Sequence, residues 1–420
     1  MPDLKPPRLK NDCFALPPGV DWTPVDEALQ RLRERLHIVV GSETVPLEQA
    51  GGRVLARNAV ARRSNPPAAN SAVDGYGFAH ASTGDGDQIL PLVEGRAAAG
   101  QPFSGSVPPG YAVRILTGAL LPGGVDTVVL EEDCSTDGAR VAFEGPVRKG
   151  ANTREAGEDV AEGDVALRVG ARLGAPEVAL LAATGVTEVP VYDRLRVGVL
   201  STGDEIVPPG DTADPARTYD ANRPMLLELI RDWHMSAVDL GHVIDEKGAL
   251  SARLDEAAAR CDAILTSGGA SAGDEDHVSA LLGETGSRAD WRIALKPGRP
   301  LALGVWQGVP VFGLPGNPVA ALVCTMIFAR PAFGMLGGEG WRVPTGFTVP
   351  AAFSKSKKPG RREFLRARLN AKGAAEVFHS EGSGRISGLA WADGLVEIED
   401  GACRIESGDP VRYLPYAGFR

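Results

Sequence analysis

Residues 262–276 read DAILTSGGASAGDED, and this stretch decides the fold class. A short apolar run passes directly into a turn rich in glycine and serine, then into three acids, Asp274, Glu275 and Asp276, ahead of a predicted helix. Apolar strand, Gly-rich turn and helix in that order make the βα unit of a parallel sheet covered by helices. At the carboxyl end of such a strand Gly268 and Gly269 let the backbone approach an anion. Ser267 and Ser271 add hydroxyls, and the next helix offers free N–H groups and the positive end of its dipole. The acids would repel a phosphate there unless Mg²⁺ or another cation bridged them. An acidic helix start on an ordinary Gly-rich turn is the competing reading.

The same alternation extends outward. Upstream lie the predicted strand RVGVLST (196–202), a helix over 223–233, the strand AVDLGHVI (237–244) and a helix over 249–260 with Leu250, Leu254 and Ala258 spaced by four. These are βαβ units, so a mostly parallel sheet between helix layers is expected. The first strand runs into Ser201-Thr202-Gly203-Asp204-Glu205, a second loop for the same crevice, where Glu205 is either a site residue or a solvated loop acid. Downstream, LALGVW and VPVFGLPG form a hairpin-like pair leading through Gly313-Leu314-Pro315-Gly316-Asn317-Pro318 to an apolar helix over 319–328. Two prolines fix that loop and two glycines permit close approach, while Asn317 suits the N-cap and Pro318 the first helical position. Arg292, Lys296 and Arg299 supply cations beside it, suited to a ligand with several oxyanions, or else form a solvated basic turn.

Farther out, Thr23 is read as the N-cap of a helix reaching about residue 36, with Pro24 at its first position. Residues 67–150 show short β-type runs at 112–116, 126–130 and 140–143, broken by Gly and Pro, which predicts a small β-rich module. Asp74 and Thr117 lie in two of its polar, Gly-containing segments; by themselves they read as a turn former and a strand-end hydroxyl. Beyond residue 337 the helical signal fades into short strands, a predicted separate β domain.

With 420 residues, 43% hydrophobic and 23% charged, the chain is globular and long enough for two to four domains. The net charge of −10 and the lack of a dense basic run argue against a nucleic-acid partner or an anionic membrane surface. Five scattered cysteines without a C-x-x-C pair suit a reducing compartment, and dispersed histidines argue against a preassembled zinc site. No basic-then-apolar leader and no run of about 18 apolar residues is found, so a cytoplasmic protein with no membrane partner is expected.

Taken in order, nine segments resemble the molybdopterin molybdenumtransferase family, that is, the bacterial MoeA proteins and the related gephyrin E domain. They are NSAVDGYGF, RILTGALLPGGVDTVVLEED, NTREAGEDVAEGD, RVGVLSTGDEIVPPG, YDANRPML, DAILTSGGASAGDEDHV, ALKPGRPLALG, VFGLPGNPVAAL and GRREFLRARL. The resemblance spans the chain from about residue 24 to near 395. It implies a multidomain α/β plus β fold. Residues 1–66 and 151–193 would make a discontinuous, elongated linking domain and 67–150 an inserted β-rich domain. Residues 194–338 would form a three-layer pterin-binding α/β domain and 339–420 a C-terminal β-barrel. It also implies a homodimer whose site lies where the α/β domain of one subunit meets the inserted domain of the other.

The implied reaction takes molybdate and adenylylated molybdopterin, releases AMP and leaves molybdenum on the pterin dithiolene, with Mg²⁺ as helper ion. By resemblance the catalytic positions are Asp74, Thr117, Glu205, Asp245 and Asp276, with Glu205, Asp274 and Asp276 as metal ligands. The phosphorylated pterin and molybdate would be held by Ser267, Gly268, Gly269, Ser271, Arg292, Lys296, Arg299, Pro315, Gly316, Asn317, Pro318, Ser383 and Ser387. Transient contacts with the molybdopterin adenylyltransferase and with acceptor molybdoenzymes are implied as well. Arg292 and Arg299 stand where the family commonly has lysines, and Ala320 where serine is frequent. Two other readings remain open: an adenylyltransferase, against which the extra domains argue, and a carrier or scaffold that binds the pterin without converting it.

Overall fold

The computed structural model describes residues 22–211, 214–268, 277–284, 289–298, 300–382 and 384–420. The chain forms two compact units, Ser42–Val191, and Tyr192–Arg420 together with the chain up to Gly41.

In the first unit a six-stranded sheet runs in the order Thr127–Leu130, Gly75–Phe78, Ala112–Ile115, Gly86–Ala97, Arg140–Gly145, Ser135–Thr136. Its core gathers Tyr76, Phe78, Leu90, Val129 and Phe143, with the Phe78 and Phe143 rings stacked 5.1 Å apart. A second core of Leu55, Leu173, Leu181 and Val189 lies where short strands from the two ends of this unit pair, Ser42–Pro46 with Glu188–Tyr192 and Ala59–Val60 with Val165–Leu167.

The second unit carries the βα alternation read from the sequence. Its elements are β1 (Arg196–Thr202), α1 (Asn222–Asp232), β2 (Ser236–Val243), α2 (Lys247–Arg260), β3 (Ala263–Ser267) and α3 (His277–Glu284). Then follow β4 (Ala289–Arg292), β5 (Pro300–Trp306), β6 (Val309–Leu314) and α4 (Pro318–Cys324). The sheet order is β2-β1-β3-β6-β5-β4. Strands β2, β1, β3 and β6 are parallel, while β5 pairs antiparallel with both β6 and β4. The β5–β6 hairpin turns on Gln307-Gly308, both at positive φ (48° and 86°), the backbone twist that suits a two-residue connection.

Three features depart from expectation. Pro24 takes the N-cap of the helix Val25–Arg35, without a side-chain cap, because Thr23 instead bridges to Ile293 and its carbonyl accepts the Ala294 N–H at 2.8 Å. That helix, expected in the linking domain, buries Val25, Ala28 and Leu32 in the same core as Val197, Leu226 and Phe312 of the α/β layers. Finally, α4 continues through a π-helical turn, Thr325–Ala329, into Arg330–Leu336. The resulting helix, Pro318–Leu336, has 19 residues and mean hydropathy 1.8, which meets the length and apolarity of a membrane span where none was expected. It is 94% buried inside the protein and serves as the central core helix.

The residues expected to form a C-terminal β-barrel make a six-stranded sheet, in the order Leu295–Lys296, Arg362–Leu369, Gly394–Ile398, Pro410–Pro415, Phe347–Pro350, with Ala375–Val377 on the side of the second. Its first strand, Leu295–Lys296, lies between β4 and β5 in the chain and pairs parallel with Arg362 and Glu363. The sheet has a core of its own in Leu365, Ala367, Val396, Ile398, Val411 and Tyr413, while Phe364, Leu395, Leu414 and Phe419 join the α/β core cluster. Arg362 adds a bidentate ion pair to Asp26, 2.8 Å to each oxygen.

Candidate functional site

The parallel strands β1, β3 and β6 end side by side, and their following loops line one edge of the sheet. Such an edge is where open α/β sheets bind ligands. Gly268 takes a φ of +98°, its N–H donates to the Leu314 carbonyl at 3.3 Å, and a Cβ there would lie 2.4 Å from the Thr202 carbonyl oxygen. Only glycine lets β3 leave the sheet at this point. Asn222, buried at the start of α1, ties two of the loops together: its Nδ2 donates to Ser267 Oγ at 2.6 Å and to the Gly316 carbonyl at 2.8 Å. Among the described residues, the hydroxyls of Ser201, Thr202 and Thr266 and the Oδ1 of Asn222 are buried and find no hydrogen-bond partner. Unpaired buried polar atoms are uncommon in native proteins, and four at one sheet edge mark a place built for polar contact.

The loop after β1 brings acids to this edge. Gly203 turns with φ +136°, its carbonyl 2.7 Å from His242 Nε2, and exposed Asp204 and Glu205 follow. Asp245 is half-buried after β2 and its N–H donates to Asp204 Oδ1 at 3.0 Å. Burial first, then the charges of Asp204 and Glu205, push the Asp245 carboxyl above its ordinary range, and His277 opposes them. Asp220 and Asp239 hold Arg223 in ion pairs beside β2, at 3.0 and 2.7 Å.

On the other flank, Pro315 is buried and Gly316 exposed, and Asn317 caps α4 by accepting from Val319 N at 3.0 Å and Ala320 N at 3.3 Å, with Pro318 at the first helical position. Lys296 is not a free cation: its Nζ lies 2.7 Å from Glu381 and 3.3 Å from Glu363. Arg292 stands opposite Pro300 in the β4–β5 register. Ser387 opens the short helix Ser387–Trp391 and is exposed. Gly269, Ser271, Asp274, Asp276, Arg299 and Ser383 lie outside the described residues.

Asp74 and Thr117 meet within the first unit, although 43 positions apart: Asp74 Oδ1 accepts from both the Thr117 N–H and hydroxyl at 2.6 Å. The hydroxyl and backbone bonds from Thr117, together with Arg114 nearby, hold the exposed Asp74 carboxyl below its ordinary range. Arg114 in turn pairs with Glu131 and sits over the Tyr76 ring at 5.2 Å.

Sequence reasoning named the glycines, the acids and Lys296, but not Asn222, Glu363, Glu381, Lys355 or Arg366. Asn222 sits in Ala-Asn-Arg-Pro, which reads as an ordinary helix start; nothing local reveals partners 45 and 94 residues away. As for Mg²⁺, no three His, Cys, Asp or Glu side chains among the described residues converge to hold a metal ion. The crowding of Asp204, Glu205 and Asp245 is what a cation would relieve, yet these acids alone do not compose a metal centre.

Three family models match the chain: the MoeA N-terminal region (domain I and II) over residues 23–185, a probable molybdopterin binding domain over 198–334, and the MoeA C-terminal region (domain IV) over 348–416. A molybdopterin molybdenumtransferase from Haemophilus influenzae is 34% identical, over 93% of this chain and 98% of its own length. One from Nostoc is 33% identical, over 89% of this chain and 88% of its own. Among solved structures, a molybdopterin biosynthesis moeA protein from Pyrococcus horikoshii OT3 superposes with a TM-score of 0.81 at 27% identity, covering 94% of this chain and 100% of that one.

Proposed function

The chain belongs to the molybdopterin molybdenumtransferase family, and from that premise we propose that it inserts molybdenum into molybdopterin in cofactor biosynthesis. In this reading the substrates are molybdate and adenylylated molybdopterin, AMP is released, and the metal ends on the dithiolene sulfurs. The observation that carries the reading is the sheet edge at β1, β3 and β6, where Gly268, the Asn222 clasp and four buried polar atoms unpartnered among the described residues offer close backbone approach and hydrogen bonds to a phosphorylated pterin.

Roles follow from chemistry. The backbone around Gly268 and Gly269 and the hydroxyls of Ser267 and Ser271 hold the pterin phosphate. Pro315, Gly316, Asn317 and Pro318 give that site a rigid wall. Arg292, Lys296, Arg299, Ser383 and Ser387 steady oxyanions. Asp74, kept ionised by Thr117, and Glu205, Asp245 and Asp276 set the field in which the phosphoanhydride is cleaved. No covalent enzyme intermediate is needed, since the adenylylated substrate is already activated. A Mg²⁺ requirement belongs to the proposal and depends on Asp274 and Asp276 joining Glu205. We place the enzyme in the cytoplasm as a homodimer, with transient contacts to the molybdopterin adenylyltransferase and acceptor molybdoenzymes; the four described cysteines, all free, support the reducing compartment.

The test is AMP release from adenylylated molybdopterin by the purified protein, with and without molybdate and Mg²⁺. Release that depends on molybdate and yields metal-loaded product is expected. Binding of the pterin without turnover would make the protein a carrier instead. Sedimentation of the same preparation checks the dimer.

A further inference from the structure

Behind Lys296 lies a closed square of charges. Lys296 Nζ contacts Glu363 at 3.3 Å and Glu381 at 2.7 Å, and Lys355 Nζ contacts Glu363 at 3.0 Å and also pairs with Glu381. The two carboxylates differ in their surroundings. Glu363 is fixed in a strand with its side chain 10% exposed, whereas Glu381 is 46% exposed and sits in a loop. The backbone on either side of Glu381 is held by the buried Arg366 guanidinium, which donates to the carbonyls of Ser380 at 2.6 Å, Gly382 at 3.1 Å and Arg385 at 2.5 Å. The Glu381 side chain can therefore swing while its main chain stays in place. A small cavity of about 30 Å³ opens beside it, lined by Lys296, Pro297, Val319, Arg366, Ser380 and Glu381 among others.

We propose that the Glu381 carboxylate is an internal stand-in for a ligand oxyanion, bridging Lys296 and a second binding cation, Lys355, until the ligand displaces it. The idea rests on the reading of Lys296 as an oxyanion-binding residue. Glu363, buried between the same two ammoniums, remains as their counter-ion after Glu381 leaves, so the pair keeps one net positive charge for the incoming group. Hydrogen bonds from the lysines also outweigh burial and hold Glu381 ionised below its ordinary range, so the stand-in keeps its charge at neutral pH. A resident anion of this kind multiplies the intrinsic affinity by the fraction of molecules in which it is displaced, and so weakens binding. It thereby selects ligands that can engage both lysines at once.

The test titrates inorganic pyrophosphate and molybdate, separately, into the full-length protein by calorimetry. Glu381→Gln keeps the size of the side chain and removes the charge, and is expected to tighten at least one of the two about tenfold. Which anion gains tells whether the subsite takes a phosphate or the metal oxyanion. Adding Lys355→Met to Glu381→Gln is expected to abolish the gain. Thermal melting confirms that each variant is folded, and Glu381→Ala gives a second route should the amide form new bonds. Equal or weaker binding of both anions by both Glu381 variants would overturn the proposal, as would a gain that survives Lys355→Met. These titrations need no turnover, so their outcome is separable from the AMP-release result.

Discussion

Asp245 shares its end of the crevice with Asp204 and Glu205, and burial and their charges raise its pKa. A carboxyl whose folded pKa exceeds its unfolded value binds protons more readily in the folded state, so stability declines as pH rises from the ordinary carboxylate range through the raised value. Asp245→Asn is therefore expected to raise the melting temperature at pH 7, to give no gain at a pH below the ordinary carboxylate range, and to reduce AMP release. Melting curves at the two pH values check the sign. Gly268→Ala carries the opposite cost: a φ of +98° and a Cβ 2.4 Å from the Thr202 carbonyl should destabilise the protein by roughly 1–3 kcal/mol in denaturant unfolding. It should also weaken pterin binding. Gly268 was legible in the sequence because a glycine after a buried strand has few other uses. Asn222 and Glu381 were not, because each gains its meaning from partners brought close only by the tertiary fold.

Among elements, the hairpin β5–β6 and the start of α4 follow their local signals: a two-residue turn with Gly308, then Asn317 and Pro318 in cap and first position. Asn317→Ala removes the acceptor for two N–H groups and should cost about 1 kcal/mol in denaturant unfolding. Because the cap also shapes the loop beside Lys296, a rise in the KM for the pterin is expected with it. Other elements escaped the sequence because a competing interaction won. Thr23 has the right side chain to cap a helix, but its backbone is taken by Ile293 and Ala294. The helix Pro318–Leu336 reads as shorter because Arg330 and Pro331 interrupt its apolar run, yet buried Arg330 is paired with Glu339 at 2.9 Å.

At the scale of the molecule, the change in composition near residue 337 marks the C-terminal sheet, which has its own core of Leu365, Val396 and Tyr413. Composition reports local structure; it does not report that Phe364, Leu395 and Leu414 share a core with Val197 and Phe312. Scanning calorimetry is therefore expected to resolve at most two transitions, one for Ser42–Val191 and one for the rest, with no third, separate melting of the C-terminal sheet. A distinct early transition lost on truncation before residue 347 would contradict this. The Asp26–Arg362 pair spans 336 positions. At typical synthesis rates of about 5–20 residues per second, the helix Val25–Arg35 leaves the ribosome roughly 20–70 s before that partner exists. Its apolar stripe of Val25, Ala28 and Leu32 waits a shorter time, until the residues that share its core, from Leu195 to Leu336, have emerged, and stays without that core until then. Slow codons placed between the stripe and Leu336 would lengthen this exposure and lower the yield of soluble protein.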